Sequence, residues 1–224
     1  MDSSLYNTSI PCPVCSKKFE VTKVKAKSSK LHSRDSDFCV YYEGINPIYY
    51  EVYVCENCGY AAQADKFDSI SSNEASIILK NISSRWTKRS FSGERTLDTA
   101  IEAFKLALYN MHLRKAKGSE LAKICIRIAW LFRLKNDEKE MDFLKFALKG
   151  YSEAYERENF PVEKLDEFTC LYMIGELNRR IGNLDESVKW FSRLIGSPEA
   201  RKNPKLIDMA REQFQAVKEQ MAQM

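Results

Sequence analysis

Two Cys-x-x-Cys pairs, Cys12/Cys15 and Cys55/Cys58, stand near the start of the chain with 39 residues between them. Each pair puts two sulfurs on one side of a tight turn. Two such turns brought together present four thiolates at the corners of a tetrahedron, the geometry Zn2+ prefers. Backbone N–H groups in such a turn point at the first sulfur and stabilise its thiolate. Gly59 follows the second pair and takes a positive φ without steric cost; Ser16 follows the first and is less suited to it. Four cysteines fill the coordination sphere, whereas a catalytic zinc keeps one position open. Cys12, Cys15, Cys55 and Cys58 therefore read as ligands of a structural Zn2+. A thioredoxin-type dithiol occurs once, in a βαβ context that this sequence lacks.

Other residues offer weaker chemistry. Three of the seven cysteines, Cys39, Cys125 and Cys170, lie outside the pairs. Cys125 and Cys170 fall on apolar helical stretches and read as small hydrophobes. Asp35-Ser36-Asp37 is a paired-carboxylate segment suited to a cation or substrate, or more commonly to a turn or to pairing with the nearby lysines. His32 and Cys39 flank it, so a second, weaker metal site is the less favoured alternative. With His32 and His112 the only histidines, most hydrolytic arrangements lack their base. Lys17 to Arg34 holds seven basic residues and one acid, Glu20. Lys23, Lys25 and Lys27 alternate on an expected strand and would meet phosphates there. Lysines equally protect an edge strand, and Asp35, Asp37, Glu43 and Glu51 cancel the local field. Lys17 and Lys18 either offset the thiolate charge or are plain surface. Phe38 with Tyr41, Tyr42, Tyr49, Tyr50 and Tyr53 reads as packing for a core-poor head, or as an interaction surface. Trp86, Trp130 and Trp190 are expected between helices. No phosphate-binding glycine loop, nucleophile elbow or kinase signature is present.

The elements that must position the cysteines follow from patterning. Phe19–Lys27 and Ile48–Val54 read as strands, each abutting a cysteine pair, the second entered through Asn46-Pro47. Together they predict a zinc ribbon with residues 28–47 as a long excursion. Residues 67–93 read as a short helix over Ala75–Ile82 and a linker. From residue 94 helical periodicity dominates: Leu97, Ala100, Ile101, Phe104, Ala107, Leu108 and Met111 share one face. Further helices are expected after Gly118-Ser119, from Asn136-Asp137 with Glu140 completing a capping box, over about 163–181, after Gly182-Asn183, and from Asn203-Pro204. Ala100-x3-Phe104-x2-Ala107, Glu140-x3-Leu144-x2-Ala147 and Ser187-x3-Phe191-x2-Leu194 share the frame of a tetratricopeptide repeat, the last preceded by Leu171, Ile174 and Gly175. Short connections between such helices predict antiparallel α-hairpins.

Composition is that of an ordinary soluble protein, 44% hydrophobic and 29% charged, and a net charge of +4 is too small to argue for nucleic acid. No stretch approaches the length of a membrane span, and the first residues lack the features of a secretory signal. The expected location is the cytoplasm, where cysteines stay reduced.

Several strings together resemble a known family. They are Cys12-Pro13-Val14-Cys15, Asp35-Ser36-Asp37-Phe38, Gly44-Ile45-Asn46-Pro47 with Tyr49-Tyr50, Val54-Cys55, Cys58-Gly59-Tyr60-Ala61 and Arg127-Ile128-Ala129-Trp130-Leu131. Nearly the whole chain is similar to the uncharacterised bacterial proteins grouped as domain of unknown function 2225. Glu56 departs from the proline expected in the second turn but leaves the ligands intact. The resemblance implies a zinc-ribbon-like head on a tetratricopeptide-like body, and no activity.

The expected architecture is mainly α with a small β head: residues 1–66 a zinc-ribbon-like head, 67–93 a short helix and linker, and 94–224 a tetratricopeptide-like helical domain. The expected function is non-enzymatic: structural zinc and the binding of a protein or peptide partner. A nucleic-acid-associated regulator using the lysine strand is one alternative. A metal-dependent enzyme or thiol redox sensor is the other.

Overall fold

The computed structural model describes residues 3–26 and 28–223. The chain forms two compact units that do not follow sequence order. The first comprises Met1–Ser33, Val40–Ala116 and Trp130–Asp137; the second comprises Arg34–Cys39, Lys117–Ala129 and Glu138–Met224. No described helix is long and apolar enough to cross a membrane.

The first unit is built on antiparallel hairpins. β1 (Leu5–Pro11) pairs with β2 (Lys18–Val24), Leu5 opposite Val24 and Pro11 opposite Lys18. β3 (Ser29–Arg34) pairs with β4 (Val40–Gly44). β5 (Val52–Val54) pairs with β6 (Ala61–Gln63), Val54 opposite Ala61. Three residues of strand cannot bury themselves, and every residue of β5 and β6 is buried. The cover is α2 (Leu97–Leu113), which packs on both strands and buries Ala100, Ile101, Phe104, Ala107 and Met111. The helix whose periodicity grouped it with the later helices thus belongs to the cysteine-bearing unit. An amphipathic stripe states that a helix buries one face, not what it buries it against.

Two expectations for this unit need correction. The strand expected over Ile48–Val54 is in its first half a 3-10 turn, Pro47–Tyr50. Asn46 accepts a hydrogen bond from the Ile48 N–H at 3.0 Å and Pro47 occupies the first helical position, so Asn-Pro starts a helical turn rather than a strand. The strand expected over Phe19–Lys27 ends at Val24, and Lys27 lies outside the described residues. The excursion at 28–47 contains the β3–β4 hairpin. Between β6 and α2 the chain forms α1 (Ser72–Asn81), started by a Ser71/Glu74 capping box, and a 3-10 turn at Ser83–Arg85.

The second unit holds α3 (Gly118–Lys135) through Ala129, then α4 (Lys139–Arg157), α5 (Glu167–Arg180), α6 (Leu184–Gly196) and α7 (Pro204–Ala222). From α4 onward each helix packs on the next, and α5 also packs on α7. Start signals are local and mostly as expected: Asn203 accepts from the Leu206 N–H with Pro204 next, and Asp166 caps α5. At α4 the N-cap is Glu138, one residue after the expected Asp137. Between α5 and α6, Gly175 makes specific contacts with Ser187 and Phe191. A Cβ on Gly175 would stand 2.9 Å from the Phe191 ring, and the Ser187 hydroxyl donates to the Gly175 carbonyl at 2.7 Å.

Candidate metal centre

Each cysteine pair is the loop of a hairpin. Residues 12–17 connect β1 to β2, and residues 55–60 connect β5 to β6. The two loops repeat one backbone pattern. The Cys12 N–H donates to Lys17 O and the Ser16 N–H to Cys12 O; the Cys55 N–H donates to Tyr60 O and the Gly59 N–H to Cys55 O. Both turns need a positive φ, 60° at Ser16 and 74° at Gly59. At Gly59 a side chain would also be excluded sterically, because a Cβ would lie 2.6 Å from the Trp86 ring.

The four sulfurs lie within 4.8 Å of one another. Cys12 Sγ is 3.6 Å from Cys58 Sγ, and Cys15 Sγ is 3.7 Å from Cys55 Sγ, so both contacts join one loop to the other. A tetrahedron with metal–sulfur bonds of about 2.3 Å has edges of about 3.8 Å. The cluster is compatible with a metal ion such as zinc. Among the described residues it is the one group of three or more cysteine, histidine or carboxylate side chains gathered at metal-binding distance. Cys12, Cys55 and Cys58 are at most 3% exposed and share a core with Phe19, Val21, Tyr53, Tyr60, Phe67, Ile78 and Ile82. Cys15 is half-buried.

Electrostatics favour a cation here. Hydrogen bonding to Cys55 pushes the Cys12 thiol up, bonding to Cys12 pushes Cys58 up, and bonds from Cys12 and then Cys58 pull Cys55 down. Four thiolates packed this closely would repel one another. A divalent cation relieves that repulsion. Each loop also aims backbone N–H groups at its first sulfur, Val14 and Cys15 at Cys12 and Asn57 and Cys58 at Cys55; these oppose the rise at Cys12 and add to the fall at Cys55.

Residues beyond the ligands brace the second loop, and sequence reasoning missed them. The Trp86 indole donates to Glu56 O at 2.8 Å, and the Ser83 hydroxyl donates to Cys58 O at 2.9 Å. Trp86 was expected between helices; it lies instead against Gly59, beside Ile82. The available signal was a stripe at Ile78, Ile82 and Trp86, a spacing of four that continues past α1. Arg95, 6% exposed, ties the chain before α2 to the head, donating to Phe91 O, Tyr49 O and Val52 O. Burial pulls its guanidinium down to about 10.

The remaining sequence candidates scatter. Among the described residues no second group gathers at metal-binding distance; His32 lies 3.6 Å from Glu43 on the β3–β4 hairpin, and Asp35, Asp37 and Cys39 belong to the second unit. Asp35 and Asp37 pair with an arginine. Arg180 lies 3.5 Å from Asp37 and 4.0 Å from Asp35. Between them the Ser36 hydroxyl donates to Glu176 at 2.6 Å, and the Tyr172 hydroxyl donates to Ser36 O. Glu176 and Asp37 are fully buried, and Glu176 also accepts from Arg179 and Arg180. This fastens residues 34–39 to α5. The aromatic cluster divides likewise: Phe38 packs on Tyr172, Tyr53 packs on Phe67, and Tyr50 accepts from the Arg95 N–H. Lys23 is half-buried, and the Lys25 ammonium donates to Ser3 O. Cys125 and Cys170 are buried thiols pushed up to about 12 by burial, as small core hydrophobes should be.

Fold and site together define a mainly helical protein whose small β-hairpins gather four cysteines into a candidate metal centre. The chain belongs to the bacterial family described as "Uncharacterized protein conserved in bacteria (DUF2225)", which matches residues 5–217. An uncharacterised protein of Borreliella burgdorferi is 31% identical over 153 residues, 60% of this chain and 55% of that protein. The chain thus spans about half the length of that curated relative. No solved structure matches.

Proposed function

We propose that this is a non-enzymatic, zinc-stabilised adaptor of the bacterial cytoplasm. Cys12, Cys15, Cys55 and Cys58 hold one structural Zn2+, and the helical second unit, tetratricopeptide-like in α5 and α6, binds a protein or peptide segment. The observation that carries the zinc reading is the closed set of four sulfurs, three of them inside the hydrophobic core of their unit. Four thiolates complete the coordination of zinc and leave no position for substrate. The Gly175–Phe191 approach and the packing of α5 on both α6 and α7 support the repeat-like reading of the helices. Stacked hairpins of this kind bind extended or helical segments.

Elemental analysis of the purified full chain, followed by affinity capture from the native host, tests both parts. The expected result is one zinc per chain and a protein captured reproducibly at moderate salt. Zinc-free protein that refuses the metal refutes the first part. Capture dominated by nucleic acid that is lost steeply with salt refutes the second, and returns the function to the lysine strand.

A further inference from the structure

The four sulfurs are not equivalent, and the inequality has a direction. Cys12, Cys55 and Cys58 are 1%, 0% and 3% exposed, whereas Cys15 is half-buried. The second loop is roofed by Trp86 and Ile82. The first is not: Ser16, Lys17 and Lys18, directly after Cys15, are all exposed. A reagent coming from solvent therefore reaches the cluster at Cys15. For a second step the Cys55 sulfur stands in contact with it at 3.7 Å, on the other loop.

Resting on the zinc reading above, we propose that Cys15 is an oxidative modification site through which hydroperoxides discharge the metal. The Cys15 thiolate attacks one oxygen of hydrogen peroxide. An S–O bond forms, the O–O bond breaks and hydroxide leaves; the sulfur becomes a sulfenic acid and the peroxide is reduced by two electrons. The Cys55 thiolate then attacks the Cys15 sulfur. An S–S bond forms, the S–O bond breaks and a second hydroxide leaves, each hydroxide taking a proton from solvent to become water. Two thiolates and one peroxide give one disulfide, and the Zn2+ loses two of its four ligands and dissociates. The product bond ties one loop to the other, so oxidation exchanges a metal cross-link for a covalent one. An ordinary Cys-x-x-Cys oxidant would instead close a bond within a loop.

The test uses the zinc-loaded full chain, hydrogen peroxide and a chromogenic zinc chelator, with non-reducing peptide mapping at intervals. Zinc release and a Cys15–Cys55 disulfide should appear together. Cys15→His keeps a recognised three-cysteine, one-histidine zinc set and should slow release about tenfold or more. Cys125→Ala removes a buried thiol outside the cluster and should release at the wild-type rate. A first disulfide within a loop, or between Cys12 and Cys58, overturns the proposal. So does Cys15→His releasing zinc as fast as wild type. If Cys15→His holds no zinc, the wild-type disulfide map decides. A chain that takes up no zinc before peroxide is added refutes the metal reading instead.

Discussion

Replacing Glu176 with glutamine should weaken the second unit by about 3–5 kcal/mol, the range for breaking a buried ion pair from one side. The carboxylate is fully buried and accepts four hydrogen bonds: from Ser36 Oγ, Arg179 Nε, Arg179 Nη2 and Arg180 Nε. A glutamine keeps one acceptor oxygen. If that oxygen takes the Ser36, Arg179 Nη2 and Arg180 bonds, its NH2 must face the Arg179 Nε donor, and one contact turns repulsive. Of the three surviving bonds the Ser36 bond becomes neutral, falling from about 1.5–3 to about 1 kcal/mol, and the two arginine bonds lose their charged acceptor and weaken. Asp37, 3.5 Å from Arg180, retains part of the compensation, which keeps the loss from running higher. With a urea slope of about 2 kcal/mol/M, the midpoint of this unit should fall by about 1.5 M or more. Hydrogen exchange should also accelerate at Phe38 and Cys39, whose amides bond within the 34–39 turn. A midpoint within about 0.3 M of wild type, with those amides unchanged, refutes the reasoning.

Four further outcomes follow from the same geometry. Chelation of the metal should unfold the hairpins and α1 while α4–α7 persist, since structural zinc contributes on the order of 10 kcal/mol; far-UV circular dichroism with limited proteolysis checks this, and a protease-resistant head refutes it. Gly59→Ala combines a positive φ with a Cβ 2.6 Å from Trp86, and should cost about 2 kcal/mol or more and weaken zinc retention, measured by competition with a chelator. Arg95→Met strands three carbonyls and should lower the stability of the first unit by about 3 kcal/mol in chemical denaturation. Glu74 is held below its usual range, first by the Ser71 backbone N–H. Its contribution to α1 is therefore complete above the unfolded carboxylate range and lost as pH falls through the folded value; Glu74→Gln should flatten that acid limb in a pH series of thermal melts.

The candidate centre was legible because its chemistry is local. Two residues between cysteines set a turn whatever surrounds it, and both turns adopt the same backbone pattern with Ser16 and Gly59 at positive φ. The later helices were legible for a related reason: Asn203-Pro204 and the apolar faces are signals within one turn or two. β1 was missed because Leu5–Pro11 carries Asn, Thr and Ser between its apolar residues and becomes a strand by pairing with β2. Trp86 was misplaced because its partners, Gly59 and Glu56, lie far back in the chain.

By itself the sequence determined the four candidate ligands, the two loops that carry them, the helical stripes and most helix starts, all of them set by neighbours within a few residues. Only the tertiary structure decided which sulfurs face one another, that α2 covers the β5–β6 hairpin, and that Trp86 roofs the second loop. It also decided that charged residues ordinarily found on surfaces, Arg95, Asp37 and Glu176, are buried as fasteners. A charge enters a core only when partners distant in sequence replace its water, and those partners exist only once the chain has folded.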